Sequence, residues 1–320
     1  MKNNALVIGS RGSDLALWQA RWVESEIRKA DPRSEVAIEV IRTTGDRVLD
    51  SPLSAIGDRG LFTREIEEAL LARRIDCAVH SLKDLPTELP GGLTVGAVCV
   101  REDIRDVFIP HPDNPVRTLL DQRQGVEIAT GSLRRRSQLL ARRPDFRIVD
   151  IRGNLNTRMN KLKESTWAGM ILACAGVRRL GWEESIGEII PVEILLPAVG
   201  QGAIAVEIRQ GDARVSSMLA GLDDPGTACA VRAERALLRA LEGGCQIPIG
   251  AYGRIEDTGS GEELHLDGLV ASLDGRTVVR GKTHGRASGA EEIGRALGET
   301  LLEGGADRIL REIRNETRSQ

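Results

Sequence analysis

The fold is decided by a pattern that first occurs in Ala5-Leu6-Val7-Ile8-Gly9-Ser10-Arg11-Gly12-Ser13. The apolar run predicts a buried strand, and the small residues after it predict a turn, with Ser13 capping a helix that extends to about Lys29. The same order recurs, with strands expected at 36–41, 77–80, 93–100, 126–129, 146–151 and 169–173 and helices after Thr63, at 133–142 and at 156–163. Such alternation predicts an α/β fold with parallel or mixed sheets.

The chain changes character at Asp223-Asp224-Pro225-Gly226, a run typical of a break between elements. Beyond it we expect a long helix at 227–241, two strands at 263–272 and 277–281, and helices from 291 onward. Strands grouped before helices indicate a separate α+β domain. Earlier in the chain, the polar and weakly periodic segment 43–60 predicts a long mobile loop.

Composition narrows the class of protein. A chain of 320 residues is expected to form two or three domains, and its net charge of −3 favours neither nucleic acid nor a membrane surface. Its five cysteines include no C-x-x-C pair, so neither a disulfide framework nor a metal site is expected. The first residues lack a long apolar region and no run approaches the ~20 apolar residues of a membrane span, so a cytoplasmic protein is expected.

One cysteine differs from the other four in its surroundings. Cys245 follows two glycines and is soon followed by a proline, which predicts a loop. A thiol on a loop can act as a nucleophile or carry a covalent group, although spacing alone favours an inert loop cysteine. The remaining cysteines lie in apolar stretches and are predicted to be core thiols: Cys77, Cys99, Cys174 and Cys229.

Charged residues follow several predicted strands, where sites form in α/β sheets. Arg11 follows the first strand, His80, Lys83 and Asp84 lie together at the end of another, and arginines occupy 134–136, 152, 158, 178 and 179. The first two clusters alone fit ordinary charged turns, whereas three cations at the start of a helix oppose its dipole and favour a bound anion. Together the clusters predict a cleft for a molecule with several carboxylates. Consecutive arginines on a helix point to different sides, so one ligand is expected to meet two of the three at 134–136.

The chemistry of Asp84 is suggested by its neighbours. A carboxylate beside a cation can act as a general acid–base or stabilise a developing positive charge. No Walker A loop, G-x-G-x-x-G run or paired metal-ligand motif occurs, which argues against a nucleotide or metal.

These residues and the motifs around them, in their order along the chain, resemble those of the porphobilinogen deaminase family, whose members are also called hydroxymethylbilane synthases. The resemblance runs nearly end to end. It rests on the Arg11/Ser13 turn and on the motifs Val79-His80-Ser81-Leu82-Lys83-Asp84, Gly131-Ser132-Leu133-Arg134-Arg135, Arg152-Gly153-Asn154, Leu196-Pro197-Ala198-Val199-Gly200-Gln201-Gly202 and Glu242-Gly243-Gly244-Cys245-Gln246-Ile247-Pro248.

The resemblance implies three domains, 1–100 with 200–221, 101–199 and 222–320. The first two are expected to be α/β domains like type II periplasmic binding proteins with a cleft between them, and the third a small α+β domain. The implied enzyme is a transferase of tetrapyrrole, porphyrin and heme biosynthesis. It condenses four porphobilinogen units, with loss of ammonia, onto a covalent dipyrromethane primer and releases hydroxymethylbilane by hydrolysis. A cytoplasmic monomer with no metal, nucleic-acid or membrane partner is implied.

The motif match also implies roles for individual residues. Asp84 matches the catalytic aspartate, and Cys245 matches the cysteine that holds dipyrromethane as a thioether. Cofactor contacts are implied for Asp46, Ser81, Lys83, Thr130, Ser132, Arg134 and Arg135. Substrate contacts are implied for Arg11, Ser13, Arg152, Arg158, Arg179 and Gln201. The segment 43–60 departs from the family, because Ala55 stands where many relatives have lysine.

Two other functions stay open on the residues alone. One is a non-catalytic carboxylate-binding protein on the same fold, against which the presence of both Asp84 and Cys245 counts. The other is a cysteine hydrolase, which no protease or nucleophile-elbow signature supports. It would pair Cys245 with one of the histidines His80, His111, His265 and His284.

Overall fold

The structure is a computed structural model that describes residues 5–47, 62–241, 247–259 and 261–318. The chain divides into two compact units. Unit 1 comprises Met1–Glu102 and Gly202–Ala228, and unit 2 comprises Asp103–Gln201 and Cys229–Gln320. The three-domain boundaries at 100, 200 and 222 stay a prediction beside this division.

The described residues form thirteen strands in three sheets. The strands are β1 Leu6–Ser10, β2 Val36–Val40, β3 Cys77–Ser81, β4 Leu93–Val98, β5 Asp106–Pro110, β6 Glu127–Ala129, β7 Arg147–Val149, β8 Gly169–Ala173, β9 Glu188–Ile190, β10 Ile204–Arg209, β11 Ile249–Asp257, β12 Glu262–Ala271 and β13 Val278–Arg286.

Ten α-helices lie among the described residues. They are α1 Asp14–Ala30, α2 Thr44–Arg47, α3 Arg64–Leu71, α4 Leu133–Arg142, α5 Leu155–Lys163, α6 Cys174–Arg179, α7 Ala213–Leu219, α8 Pro225–Ala240, α9 Ala290–Leu301 and α10 Asp307–Arg318. None of them is both long and apolar enough to cross a membrane.

The sheet of unit 1 has the strand order β2-β1-β3-β10-β4. β1 is parallel to β2 and β3, whereas β10 is antiparallel to β3 and β4. Leu6 and Ile8 of β1 are fully buried against α1 residues such as Val23. As predicted, Ser13 caps α1, because its Oγ accepts a hydrogen bond from the Ala16 amide at 3.4 Å.

Unit 2 contains a second five-stranded sheet with the order β7-β6-β8-β5-β9. β6 is parallel to β7 and β8, and β5 is antiparallel to β8 and β9. Buried side chains cover both faces of this sheet, with Ile109 and Leu172 in one core cluster and Phe108 and Ile171 in another. Apolar runs without alternation are expected for strands buried on both faces.

The third sheet is an antiparallel meander of β11, β12 and β13. Leu264 and Leu266 of β12 pack in one core with Leu237 of α8 and Leu297 of α9. The predicted fold class is therefore confirmed, with two α/β sheets and a smaller sheet with helices. Three strands occur where two were predicted, and β13 continues to Arg286 instead of ending at 281.

Two predicted element boundaries change for local reasons. α8 begins at Pro225 instead of 227, because the Asp224 carboxylate accepts the Thr227 amide at 2.7 Å and proline is tolerated in a first turn. The predicted loop 43–60 contains a short helix, α2, and the rest of it from residue 48 lies outside the described residues.

Candidate active site

The register of the unit 1 sheet brings two predicted site segments to one edge. β1 and β3 are parallel neighbours, with Ile8 opposite Cys77, so their carboxyl ends lie side by side. The turn after β1 carries Arg11 and Ser13, and a 3₁₀ turn Leu82–Asp84 follows β3. This is the edge at which α/β sheets place their sites.

The side chains at this edge of unit 1 have distinct environments. Asp84 is exposed and Lys83 is half-buried. The Arg11 guanidinium lies 4.2 Å from the centre of the Phe62 ring, a cation–π contact that fixes its plane. The Ser81 Oγ accepts a hydrogen bond from the Gln19 side chain of α1 at 2.8 Å. The edge therefore presents an accessible carboxylate beside fixed basic and hydroxyl groups.

A second edge forms in unit 2, where three parallel strands end together. Ala129 at the end of β6 lies opposite Val149 of β7 and Met170 of β8. The segments that follow these strands contain the predicted residues Thr130, Ser132, Arg152, Arg158 and Arg179. The sheet thus collects at one edge the hydroxyl and guanidinium groups that the sequence scatters over some fifty positions.

Gly131 lets two of these segments touch. A Cβ at this position would lie 2.6 Å from the carbonyl oxygen of Ile151, so a larger residue would force the loops apart. The Thr130 amide donates to Val149 O at 2.9 Å in the same region. Ser132 is the N-cap residue of α4, yet its hydroxyl makes no capping hydrogen bond. The Ser132 hydroxyl therefore does not hydrogen-bond to the first turn of α4.

Arg134 and Arg135 both bind a carboxylate of the protein. Arg134 Nη1 lies 2.8 Å from Asp106 Oδ2, and Arg135 Nη2 lies 2.8 Å from Asp106 Oδ1, with all three side chains buried. Burial would raise the pKa of Asp106, but the two guanidinium groups outweigh it and hold that pKa well below its usual range. Arg136 is exposed, so it lies away from the buried pair, and the expectation that one ligand meets two of the three arginines stays a prediction.

Gln201 belongs to this buried cluster. Its Nε2 donates to Asp106 Oδ1 at 2.9 Å and to Ile104 O at 2.7 Å. Sequence reasoning missed Asp106. The available signal was an aspartate opening the otherwise apolar strand Asp106–Pro110, since a buried carboxylate needs a cationic partner.

The cluster has one more positive than negative charge. Among the residues that the structure describes, Asp106 balances one guanidinium, and the buried Nε atoms of Arg134 and Arg135 have no hydrogen-bond partner. Such an excess of buried positive charge suits an additional anionic oxygen. The geometry is therefore compatible with a carboxylate-bearing ligand on this side of unit 2.

Of the other arginines at this edge, one makes a hydrogen bond at the start of a helix. Arg158 Nε donates to Gly153 O at 2.9 Å, at the start of α5, and Asn154 caps that helix. Arg152 is half-buried and Arg179 is buried. Both also interact with other groups of the protein.

We expect Asp106→Asn to destabilise the fold strongly. Two buried guanidinium groups would lose their counter-ion, which costs about 3–5 kcal/mol in the free energy of unfolding. Chemical denaturation measures this loss. The control is Glu312→Gln, which removes an exposed ion pair with Arg308 and should cost at most ~0.5 kcal/mol. Equal losses for the two variants would contradict a buried role for Asp106.

The cysteines of the described residues behave as the sequence predicts for Cys77, Cys99 and Cys174, which are buried. Burial raises the pKa of Cys77 to about 12 and that of Cys174 to about 11, so both thiols stay protonated and unreactive near neutral pH. Cys229 is half-buried. Cys245 and the side chain of Asp46 lie outside the described residues, so their predicted roles stay predictions.

Known proteins resemble this chain along nearly its whole length. Residues 6–217 match the family model "Porphobilinogen deaminase, dipyromethane cofactor binding domain", and residues 228–303 match "Porphobilinogen deaminase, C-terminal domain". The porphobilinogen deaminase of Carboxydothermus hydrogenoformans is 49% identical over 311 residues, covering 97% of this chain and 98% of that protein. That of Desulfitobacterium hafniense is 51% identical over 307 residues, covering 96% and 97%.

A solved structure shows a much weaker similarity. The periplasmic aliphatic sulphonate binding protein of Escherichia coli is 13% identical with a TM-score of 0.40, covering 75% of this chain and 71% of that one. A similarity at this level says nothing about the ligand or function of the chain. The two family models and the relatives are decisive, and together they establish that the chain belongs to the porphobilinogen deaminase family.

Proposed function

We propose that this chain condenses four porphobilinogen units, each with loss of ammonia, onto a dipyrromethane primer held by Cys245. Hydrolysis then releases the linear tetrapyrrole hydroxymethylbilane, which makes the chain a transferase of porphyrin biosynthesis. The observation that carries the proposal is the register of the unit 2 sheet, which gathers Thr130, Ser132 and Arg152 at one edge. We also propose a cytoplasmic monomer, as the resemblance to the family implies.

The residues of unit 2 fit a dipyrromethane cofactor, the group that the matched family domain binds. A molecule built from two porphobilinogen units carries four carboxylates, and guanidinium and hydroxyl donors form strong hydrogen bonds with carboxylates. Unit 2 offers the hydroxyl of Ser132, which makes no capping hydrogen bond, and the half-buried guanidinium of Arg152. When bound through Cys245, the cofactor would supply the nucleophilic pyrrole carbon from which the chain grows.

Unit 1 supplies the group that handles protons and positive charge. Asp84 lies exposed on the 3₁₀ turn after β3, where a substrate can reach it. Loss of ammonia from the aminomethyl group of porphobilinogen leaves a cationic methylene–pyrrole. The Asp84 carboxylate stabilises this cation and accepts the ring proton that is released after the carbon–carbon bond forms. At the same edge, Lys83 contacts carboxylates of the cofactor and Arg11 those of the substrate.

The stoichiometry of the reaction tests this proposal. Purified protein given porphobilinogen should release one ammonia per porphobilinogen consumed. The product should have the mass of four porphobilinogens less four ammonias plus one water. A protein that binds porphobilinogen and leaves it unchanged would be the carboxylate-binding protein, and the proposal would be wrong. The relatives compared above carry the name of an enzyme, which favours turnover.

Arginine replacements are expected to stall the growing chain at different lengths. Arg152→Leu removes a guanidinium from the unit 2 edge, and one lost charge-assisted hydrogen bond costs about 1.5–3 kcal/mol, or about ten- to a hundredfold in the affected step. Arg158→Leu and Arg179→Leu should act at other steps. Native mass spectrometry after a porphobilinogen pulse would show which added units accumulate.

The matched control for this series is Arg136→Leu. Arg136 is exposed on α4, beside the buried pair, and should leave the distribution of bound intermediates unchanged. The three arginine-to-leucine variants could instead slow every step equally, with no intermediate accumulating. In that case the arginines would provide a general electrostatic attraction for carboxylates instead of separate subsites.

A further inference from the structure

A short segment of unit 2, residues 196–200, connects α4 to the C-terminal sheet. It belongs to none of the helices and strands described above. Its backbone makes hydrogen bonds to three different elements, which are α4, α8 and β11. The reaction proposed above gives this segment no part, so its contacts call for a separate explanation.

The side chain of Gln138, in α4, pairs with the backbone of Leu196 through both ends of its amide group. Gln138 Oε1 accepts a hydrogen bond from the Leu196 amide at 2.8 Å, and Gln138 Nε2 donates to Leu196 O at 3.1 Å. The two residues are only 3% and 1% exposed. Without Gln138 the Leu196 amide would be buried without this acceptor, so the pairing fixes the segment against α4.

The Leu196 carbonyl also contacts the buried arginine pair. Arg134 Nη1 donates to Leu196 O at 2.7 Å and to Asp106 Oδ2 at 2.8 Å. Gln138 lies four residues after Arg134, so the two side chains share a face of α4. The position of Leu196 is therefore set by the same helix face that carries a proposed cofactor-binding guanidinium.

Strand β11 packs against the next part of the segment. This strand begins four residues after Cys245 in the sequence. The Ala251 amide donates to Pro197 O at 3.0 Å. Gly250 allows the close approach, because a Cβ at this position would lie 3.0 Å from Leu196 O. The strand that follows Cys245 is thus held directly by segment 196–200.

Helix α8, which ends five residues before Cys245 in the sequence, binds the end of the same segment. The Gly200 amide donates to Glu234 Oε2 of α8 at 2.7 Å. Glu234 Oε1 accepts a hydrogen bond from the Gly253 amide of β11, also at 2.7 Å, and the Glu234 side chain is fully buried. Both elements that flank Cys245 are therefore bound to segment 196–200 and to each other.

We propose that Gln138 is a positioning residue, which acts through Leu196 to set the distance between the arginine pair of α4 and the two elements that flank Cys245. The carboxylates of a dipyrromethane on Cys245 would have to reach those guanidinium groups. A displacement of about 1 Å can slow a reaction by about a hundredfold. This inference rests on the proposed function, whereas the hydrogen bonds of Gln138 are a property of the fold.

Gln138→Met tests the positioning role in the complete protein. Methionine has a similar length and volume but cannot pair with Leu196. We expect the variant to carry the cofactor and to lose about ten- to a hundredfold in kcat. The KM for porphobilinogen should stay within about twofold, because Gln138 is buried away from the substrate. Rates are taken per molecule of cofactor-bearing protein, counted by intact mass, at a temperature where the variant is folded.

Leu162→Ala is the control for a loss of stability alone. Leu162 is 1% exposed on α5, in a core cluster whose described members include no residue of α4 or of segment 196–200. Denaturant unfolding should show that Leu162→Ala loses at least as much stability as Gln138→Met, while its kcat stays within about twofold of the wild type. Equal kcat values for the two variants would overturn the positioning role. A folded Gln138→Met protein without the adduct, beside a Leu162→Ala protein that carries it, would support that role.

A milder variant serves if Gln138→Met does not fold. Gln138→Glu keeps an acceptor for the Leu196 amide and loses the donor to the Leu196 carbonyl, so kcat should fall about three- to tenfold. An unchanged kcat in Gln138→Glu would overturn the proposal.

Amide hydrogen exchange tests the pairing without turnover. The Leu196 amide should exchange at least about tenfold faster in the Gln138→Met variant, or in Gln138→Glu where that variant is used, than in the wild type. An unchanged exchange rate would overturn the proposal. A wild-type protein that releases no ammonia would overturn the proposed function, and with it the positioning role, and would leave the pairing of Gln138 with Leu196 in place.

Discussion

Replacing Cys245 with alanine is expected to give folded protein that carries no pyrrole and makes no tetrapyrrole. The thioether cannot form without the sulfur, so the condensation has no primer. Cys245 is the cysteine with a glycine-flanked loop sequence, whereas the buried thiols of Cys77 and Cys174 stay protonated near neutral pH. The colour reaction of dipyrromethanes with an acidic aldehyde reagent should be lost together with all ammonia release.

The matched control is Cys229→Ala. Cys229 is the half-buried cysteine among those described, and its Sγ donates only to Ala287 O at 3.2 Å. This variant should keep the colour reaction and the activity. Loss of the adduct in Cys229→Ala with its retention in Cys245→Ala would show that the attachment site has been assigned to the wrong cysteine.

Asp84→Asn is expected to keep the fold while turnover falls by at least a hundredfold. Asparagine has nearly the same shape and sits on an exposed turn, so packing is unchanged. It has neither the negative charge that stabilises the cationic substrate nor the capacity to accept its proton. The measurement is the rate of ammonia release per molecule of cofactor-bearing protein.

Glu88→Gln provides the control for Asp84→Asn. Glu88 is an exposed acid four residues later, outside the 3₁₀ turn, and its replacement changes the net charge by the same amount. It should leave turnover within about twofold. Near-normal turnover by Asp84→Asn would remove Asp84 from the mechanism, and a large loss in Glu88→Gln would point to a general effect of charge.

Local patterns were sufficient to predict the parallel strands and the turns that follow them. β1, β3, β6 and β8 are short apolar runs that end in small or charged residues, so both the strands and their burial can be predicted from local sequence. The strand β10 was not predicted. Its place depends on pairing with β3 across more than a hundred residues, which no local window contains.

Prediction of the candidate site is limited in the same way, because its contacts join residues far apart in the sequence. The arginines at 134 and 135 were correctly placed at a strand end, but their partner Asp106 lies 28 residues away from the first of them. Sequence spacing cannot reveal that pairing, because it depends on β5 entering the sheet beside β8. His80 was likewise grouped with Lys83 and Asp84 as a charged turn, whereas it points into the core beside Glu207.

Intact mass spectrometry of the purified protein before and after a short porphobilinogen pulse tests the central claim most directly. Before the pulse, the mass should exceed that of the chain by two porphobilinogens less two ammonias. After the pulse, further species should appear in steps of one porphobilinogen less one ammonia, up to four steps. A chain at its unmodified mass both before and after the pulse, in folded protein, would contradict stepwise growth on a covalent primer.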